Sequence, residues 1–377
     1  LAAAIAAACV FALFGCNNDN SGVYEMNEPN NISLVSRNKE KAHTKLIPYN
    51  SIDEAVKSNA DSSGHFMSLN GEWSFRFLNS SDSDAYVNFA KDTYDVGSWD
   101  KIQVPSNWQT KGYSLPTYAH DNYPWDTVGL NPPDLPTSEI DEVALYRRTV
   151  ELPTNWDGQE VYISFEGVES ACYVYVNGSL VGYGEDSYTT KDFRITPYLQ
   201  FGKPNTIAVK VFKYCDASWL EAQDSLKMGG IYRDVYLYST PKTSIKDIYV
   251  KSTVSKKDGS VALKIDADVA AYGNLPNNHY MTVSVYDQDG NCVADESKLS
   301  AGISFNNEKT GGAYNAEVSG RTSLASFVPW SAENPYRYTF VFTIKDGNDN
   351  VITAVSYKYG IRDIGFSTDA EGNKTFV

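Results

Sequence analysis

At 377 residues, 42% of them hydrophobic, the chain is long enough for two or three domains, each able to bury its own core. Lysine and arginine number 32 against 47 aspartate and glutamate, a formal charge of −15 with no compensating basic run, which argues against nucleic acid as a partner. Aromatic residues make up 13%, with 27 Tyr and 7 Trp, a composition that suits β-sheet packing and the stacking of flat rings on the C–H faces of pyranosides.

The first fifteen residues are apolar, alanine-rich and too short to span a bilayer as a helix, and the polar run Cys16-Asn17-Asn18-Asp19 follows at once. This reads as the apolar part of a signal peptide. Leu13-Phe14-Gly15-Cys16 resembles a bacterial lipobox, with Phe14 larger than that motif usually carries; Cys16 is then the acylated residue. Without an initiator Met or a basic leader before Leu1, the sequence is expected to start inside the signal. The expectation is an exported lipoprotein, periplasmic or outer-membrane-anchored. Residues 17–45 are polar and lack periodicity, as a tether with little structure of its own would be.

From there, period-two runs recur at 71–78, 145–152, 161–167, 172–176, 205–213 and 231–238, and Asn177-Gly178 supplies a hairpin turn between two apolar strands. A second set occupies 247–254, 260–269, 280–286, 313–318, 337–345 and 351–359, punctuated by turns such as 287–290 and 346–349. That spacing fits an immunoglobulin-like sandwich of about 100 residues. With no long amphipathic helix and no βαβ alternation, the fold class is all-β, and the break between domains falls near 240–242. Cys172, Cys215 and Cys292 define no disulfide framework, and Cys172 and Cys292, in alternating apolar runs, are expected to be buried thiols. Only His43, His65, His120 and His279 are present, none at metal-ligand spacing, so no zinc site is expected.

An ordered set of stretches carries a family resemblance: LNGEWSFRF at 69–77, VPSNWQTKGY at 104–113, YAHDNYPW at 118–125, NPPDLPT at 131–137 and FEGVESACYVYVNGSLVGYGEDS at 165–187. SWLEAQDSLKMGGIYRDVYL at 218–237, PWSAENPYRYTF at 329–340 and YGIRDIGF at 359–366 complete it. The set resembles the front part of family 2 glycoside hydrolases, specifically the long bacterial β-galactosidase branch. The resemblance implies a sugar-binding jelly-roll sandwich at 46–241, an immunoglobulin-like sandwich at 242–362, and in 363–377 the start of a connection to a catalytic TIM barrel that is not in this chain. It further implies retaining hydrolysis of terminal non-reducing β-D-galactosyl residues by two glutamates beyond residue 377. Magnesium and sodium are expected for the complete enzyme, with no cofactor in this chain. The implied partners are a β-galactoside or other glycan, the membrane through the lipid anchor, and in the complete protein a second copy, toward which the Gly- and Asn-rich stretch 300–320 is the candidate loop.

For site residues, the resemblance assigns Asp186 to contact galactosyl hydroxyls and help hold a monovalent cation. Read from the residues alone, Asp186 is either an ordinary turn carboxylate or a group mounted on a rigid hairpin, with Glu185 and Ser187 keeping it solvated. In YAHDNYPW the family places a sugar-contacting asparagine where this chain has His120, and Asn122 lies two residues on. Histidine still donates and accepts hydrogen bonds to hydroxyls, and read from the residues alone His120 is equally a solvent-facing loop residue. Arg233, Asp234, Glu221 and Asp224 read as loop and strand structure, not as a catalytic pair. Two alternatives stand beside this reading: a surface glycan-binding lipoprotein without hydrolase activity, and another family 2 glycosidase, a β-glucuronidase or β-mannosidase.

Overall fold

The computed structural model describes residues 28–79, 88–120, 123, 125, 129–132, 134, 142–255 and 257–376. Cys16 and Asn122 lie outside the described residues. The all-β expectation is met: among the described residues the α-helices are Ile52–Lys57 and Ser218–Glu221, and no strand–helix alternation of a barrel occurs.

The first sandwich has a seven-stranded antiparallel sheet in the order Ser36–Arg37, Ser179–Gly184, Ala171–Val176, Asn205–Phe212, Glu142–Val150, Gly71–Asn79 and Asp100–Val104. Facing it is a sheet of Lys191–Arg194, Glu160–Phe165, Val235–Thr240 and Phe66–Ser68. The period-two pattern decides what fills the space between them. Along Ala171–Val176, Cys172, Val174 and Val176 point into the core with Trp73, Phe75, Trp108, Ile163, Phe165 and Leu237. Ala171, Tyr173 and Tyr175 point the other way, into a second apolar layer with Phe89, Trp99 and Tyr183. Both faces are covered, so the strand is apolar throughout. Its hairpin turn has Asn177 at φ 49° and Gly178 at φ 82°, the left-handed pair that a two-residue turn of matching twist demands.

The second sandwich pairs Thr243–Val254, Val261–Tyr272, Ala313–Leu324 and Lys309–Thr310 in one sheet. Its other sheet runs Pro48–Tyr49, Val351–Tyr359, Tyr338–Lys345, Tyr280–Tyr286 and Cys292–Lys298. Ile248, Leu263, Ile265, Met281, Phe340 and Phe342 lie in the core between them. The expected turns are built on aspartates whose carboxylates accept backbone N–H groups ahead of them: Asp287 from Asp289 and Asn291, Asp346 from Asn348 and Asn350.

Four expectations about segments of the fold outside the site differ from what is observed. The polar segment 17–45 is structured from residue 28 onward: buried Glu28 accepts from the Tyr173 hydroxyl and pairs with Arg37 at 2.6 Å, and Ser36–Arg37 adds an edge strand to the seven-stranded sheet. A two-residue edge strand has no periodicity to read, and its backbone hydrogen bonds are indifferent to side-chain polarity. Residues 46–57 pack mainly with the second sandwich although they precede the first, with Ile47 turning to Tyr162, Tyr236 and Tyr238 of the first. Leu46 enters its core, Pro48–Tyr49 pairs with Val351–Tyr359, and Ile52–Lys57, capped by Ser51, rests Ala55 against Val341 and Ala354. Cys292 is exposed at the start of an edge strand, where alternation marks no buried face. Much of 300–320 is strand, Lys309–Thr310 turning through Gly311 and Gly312 into Ala313–Leu324.

Where the sandwiches meet, Glu160, 1% exposed, accepts Arg194 Nε at 2.6 Å and Lys242 Nζ at 2.5 Å. Burial alone would raise its pKa, but the hydrogen bonds from Arg194 and Lys242 outweigh it and hold the carboxyl below its ordinary value. Arg194 also lies 4.5 Å above the Tyr272 ring of the second sandwich, and the Tyr162 hydroxyl donates to the Tyr272 hydroxyl at 3.1 Å.

Candidate functional site

Asp186 stands two residues beyond the strand Ser179–Gly184, at φ 87°, a backbone region that L-residues other than Asn and Asp seldom occupy. Its own carboxylate stabilises that conformation. Oδ1 accepts Tyr188 N at 2.8 Å and Thr189 N at 3.3 Å, Oδ2 accepts the Thr189 hydroxyl, and the Asp186 carbonyl accepts Nζ of the buried Lys191. Burial would raise the Asp186 pKa, but the bonds from Thr189 and Tyr188, with Lys191 nearby, together lower it below the usual value. The side chain is half-buried and ionised, an acceptor and not a proton donor.

Its neighbours are not solvated, contrary to the expectation from polarity: Glu185 is 3% exposed and Ser187 fully buried. Glu185 accepts the Tyr183 hydroxyl at 3.0 Å, while burial and the charge of Asp216 push its pKa up to about 7. Ser187 is gripped from several sides. Its N–H and hydroxyl donate to Glu221 at 2.9 and 2.6 Å, and its carbonyl accepts the Tyr232 hydroxyl at 2.6 Å. Arg233 Nη1 donates to the Tyr188 carbonyl at 2.8 Å. Glu221 in turn lies 3.4 Å from Nζ of Lys227, a fully buried lysine that also pairs with Glu169 at 3.3 Å.

The other face of the short helix Ser218–Glu221 holds the second candidate loop. Trp219 packs on Tyr123 and Trp125 with ring centroids 4.6 and 5.0 Å apart, and the Tyr123 hydroxyl donates to the Trp219 carbonyl at 2.8 Å. His120 is exposed at the end of Thr117–Ala119, which pairs with Ser225–Lys227, and the Tyr118 hydroxyl donates to Asp224 at 2.8 Å. One helix thus anchors both loops, Asp186's through Glu221 and His120's through Trp219. Glu221, Lys227, Glu169, Tyr232 and Arg233 are the positioning residues, and Glu221, read from sequence as loop structure, is the clasp itself. A buried lysine between two glutamates leaves little trace in sequence, since Glu169 and Lys227 are far apart in the chain.

Asp186 belongs to no group of three or more His, Cys, Asp or Glu ligand atoms among the described residues. With its oxygens already accepting from Tyr188 and Thr189, it brings a single carboxylate to any cation site. The described residues alone do not form a cage for sodium or magnesium.

Residues 66–241 match the glycosyl hydrolases family 2 sugar binding domain, and residues 243–362 match a second domain described as glycosyl hydrolases family 2. The chain is similar to the β-galactosidase of Priestia megaterium, 41% identical over 88% of this chain and 31% of that protein. It is similar also to the β-galactosidase of Halalkalibacterium halodurans, 32% identical over 88% of this chain and 31% of that protein. The chain therefore spans about a third of the length of these relatives. In fold it resembles a β-glucuronidase of Bacteroides uniformis, with a TM-score of 0.61 at 22% identity over 82% of this chain and 34% of the other. A β-glycosidase of Bacteroides vulgatus compares similarly, with a TM-score of 0.60 at 22% identity over 83% of this chain and 36% of the other. With both of its sandwiches matched in order, the chain belongs to glycoside hydrolase family 2.

Proposed function

We propose that this chain is the substrate-side support of a β-galactosidase-type glycosidase that hydrolyses terminal non-reducing β-D-galactosyl residues with retention. The observation that supports this most directly is the mounting of Asp186: an ionised, half-exposed carboxylate on a loop fixed by Ser187, Glu221, Tyr232 and Arg233. A fixed acceptor of this kind suits sugar hydroxyls, which donate charge-assisted hydrogen bonds without needing a proton in return. The relatives named β-galactosidase, at 41% and 32% identity, favour galactoside over glucuronide or mannoside.

In this reading the two sandwiches contribute no acid/base or nucleophile; those belong to the barrel that the chain lacks. Asp186 binds hydroxyls and offers one ligand to a monovalent cation whose other ligands lie elsewhere in the complete enzyme. His120 and Asn122 supply further hydroxyl contacts from the second loop. When bound, magnesium and sodium supply positive charge beside the sugar. Export and membrane attachment through Cys16, and self-association of the complete protein, are parts of the same proposal.

The test compares turnover of chromogenic β-galactoside, β-glucuronide and β-mannoside by the complete enzyme and by this chain alone. The expected result is galactoside preference in the complete enzyme and no turnover by the chain alone. Activity of the isolated chain that survives repurification, or preference for the glucuronide, would overturn the proposal.

A further inference from the structure

Beneath the Asp186 loop lies a second cluster that the substrate-contact reading does not use. Glu185, Cys215 and Asp216 each offer a ligand atom, and these atoms lie within 4.8 Å of one another. Glu185 is 3% exposed, Asp216 6% and Cys215 fully buried. Glu185 Oε1 and Asp216 Oδ2 accept no hydrogen bond from outside the cluster, within which Glu185 faces the Asp216 carboxyl and the Cys215 thiol, and among the described residues no lysine, arginine or histidine pairs with either carboxylate. The remaining polar contacts are modest. Glu185 Oε2 accepts the Tyr183 hydroxyl at 3.0 Å, and the backbone N–H groups of Asp216 and Cys215 donate to the Pro29 carbonyl and the Ser218 hydroxyl.

Among the described residues the other buried carboxylates have cationic partners: Glu160 in Arg194 and Lys242, Glu28 in Arg37, Glu169 in Lys227, which also lies against Glu221, and Asp192 in His43. Two carboxylates buried side by side without a cation are the exception, and buried charge is normally paired or bound to metal. A thiol in the same cluster selects among metals. Calcium and magnesium take oxygen ligands, whereas a sulfur beside two carboxylates suits a borderline divalent ion of the zinc type, with bonds of about 2.0–2.2 Å to oxygen and about 2.3 Å to sulfur.

We infer that Glu185, Cys215 and Asp216 form a structural site for a zinc-type divalent cation. Three protein ligands leave a fourth position for water. The ion would join two parts of the molecule that both hold the Asp186 loop: Glu185 is the residue before Asp186, and Cys215 and Asp216 lead into the helix Ser218–Glu221 that carries the Ser187 clasp. The site is distinct from any cation at Asp186 itself. Sequence spacing hides it, because Glu185 lies 30 and 31 residues before Cys215 and Asp216 and none of the three is histidine.

The experiment uses the purified chain, stripped with a chelator and titrated with zinc by calorimetry, then with cobalt(II) followed by absorbance. One zinc per chain is expected, with a melting temperature raised by at least about 3 °C at saturating metal. Cobalt is expected to give a near-ultraviolet thiolate charge-transfer band that Cys215→Ser removes and Cys292→Ser keeps. Glu185→Gln, nearly isosteric and neutral, should fold and weaken zinc binding by at least about 100-fold; Asp216→Asn provides the same readout if it does not fold. Equal zinc affinity in wild type and both carboxylate variants, a cobalt band that survives Cys215→Ser, or no zinc bound at all would overturn the inference. The last result would leave a proton shared between the two carboxylates as the compensating charge.

Discussion

Ser187 gives both its backbone N–H and its hydroxyl to the two oxygens of Glu221, at 2.9 and 2.6 Å, so a residue next to Asp186 is locked to the helix Ser218–Glu221 by a single carboxylate. Nζ of Lys227, fully buried, lies against the same carboxylate at 3.4 Å. The chain of contacts from Lys227 through Glu221 to Ser187 gives the Asp186 loop its rigidity.

Glu221→Ala should therefore cost about 2–4 kcal/mol of stability, because two bonds to a charged acceptor are lost and Lys227 keeps only Glu169 as counter-ion. Urea unfolding of the purified chain measures this. An unchanged midpoint would show that the clasp is dispensable and that Tyr232 and Arg233 suffice to hold the loop.

The junction between the sandwiches should respond to pH through His43. Its Nε2 lies 3.1 Å from Asp192, while the neighbouring Thr44 N–H donates to Asp247 of the second sandwich. Burial would lower the His43 pKa, but the hydrogen bond and charge of Asp192, with the hydrogen bond to the Thr44 carbonyl, outweigh burial and the repulsion of Lys246, so it is raised above 6.5. A raised histidine pKa stabilises the fold fully below about 6.5, the value in the unfolded chain, and that contribution fades as pH rises through the folded-state pKa. The melting temperature of wild type minus that of His43→Gln, measured from pH 5.5 to 8.5, should shrink with rising pH. A difference independent of pH would remove the charged pair from the account.

Lipid attachment at Cys16 is tested by labelling with a fatty-acid analogue in a bacterial host, using a version with a complete signal peptide. Label is expected in wild type and absent in Cys16→Ala. Equal labelling of both would show that the apolar run serves another purpose.

Much of the first sandwich was legible because its strands obey period two and its turns use residues with a mechanism, as at Asn177-Gly178. The fold of residues 28–57 was not: Ser36–Arg37 and Pro48–Tyr49 are too short to show a period, and which sheet each extends depends on partners far along the chain. At the site, Asp186 and the loop of His120 are marked by the resemblance, but the burial of Glu185 is not. A polar residue in a turn-like sequence reads as solvated, and only the packing of Tyr183, Cys215 and Asp216 around it shows otherwise. The helix of Ser218 to Glu221 is a single turn, below the length at which helical periodicity can be seen.

The most direct test of the central claim is the effect of Asp186→Asn on the complete enzyme, with kinetics and thermal melting measured on the same preparation. Asparagine tolerates φ 87° and can still accept from Tyr188 N and Thr189 N, but its amide nitrogen cannot accept the Thr189 hydroxyl, so the loop should keep its shape at a cost of about 1 kcal/mol. What is lost is the charge that strengthens bonds from sugar hydroxyls, each worth about 1.5–3 kcal/mol, and kcat/KM for a β-galactoside should fall about 10- to 100-fold. An unchanged kcat/KM, or a fall matched by a large drop in melting temperature, would contradict the account and leave Asp186 as a residue that shapes its own turn.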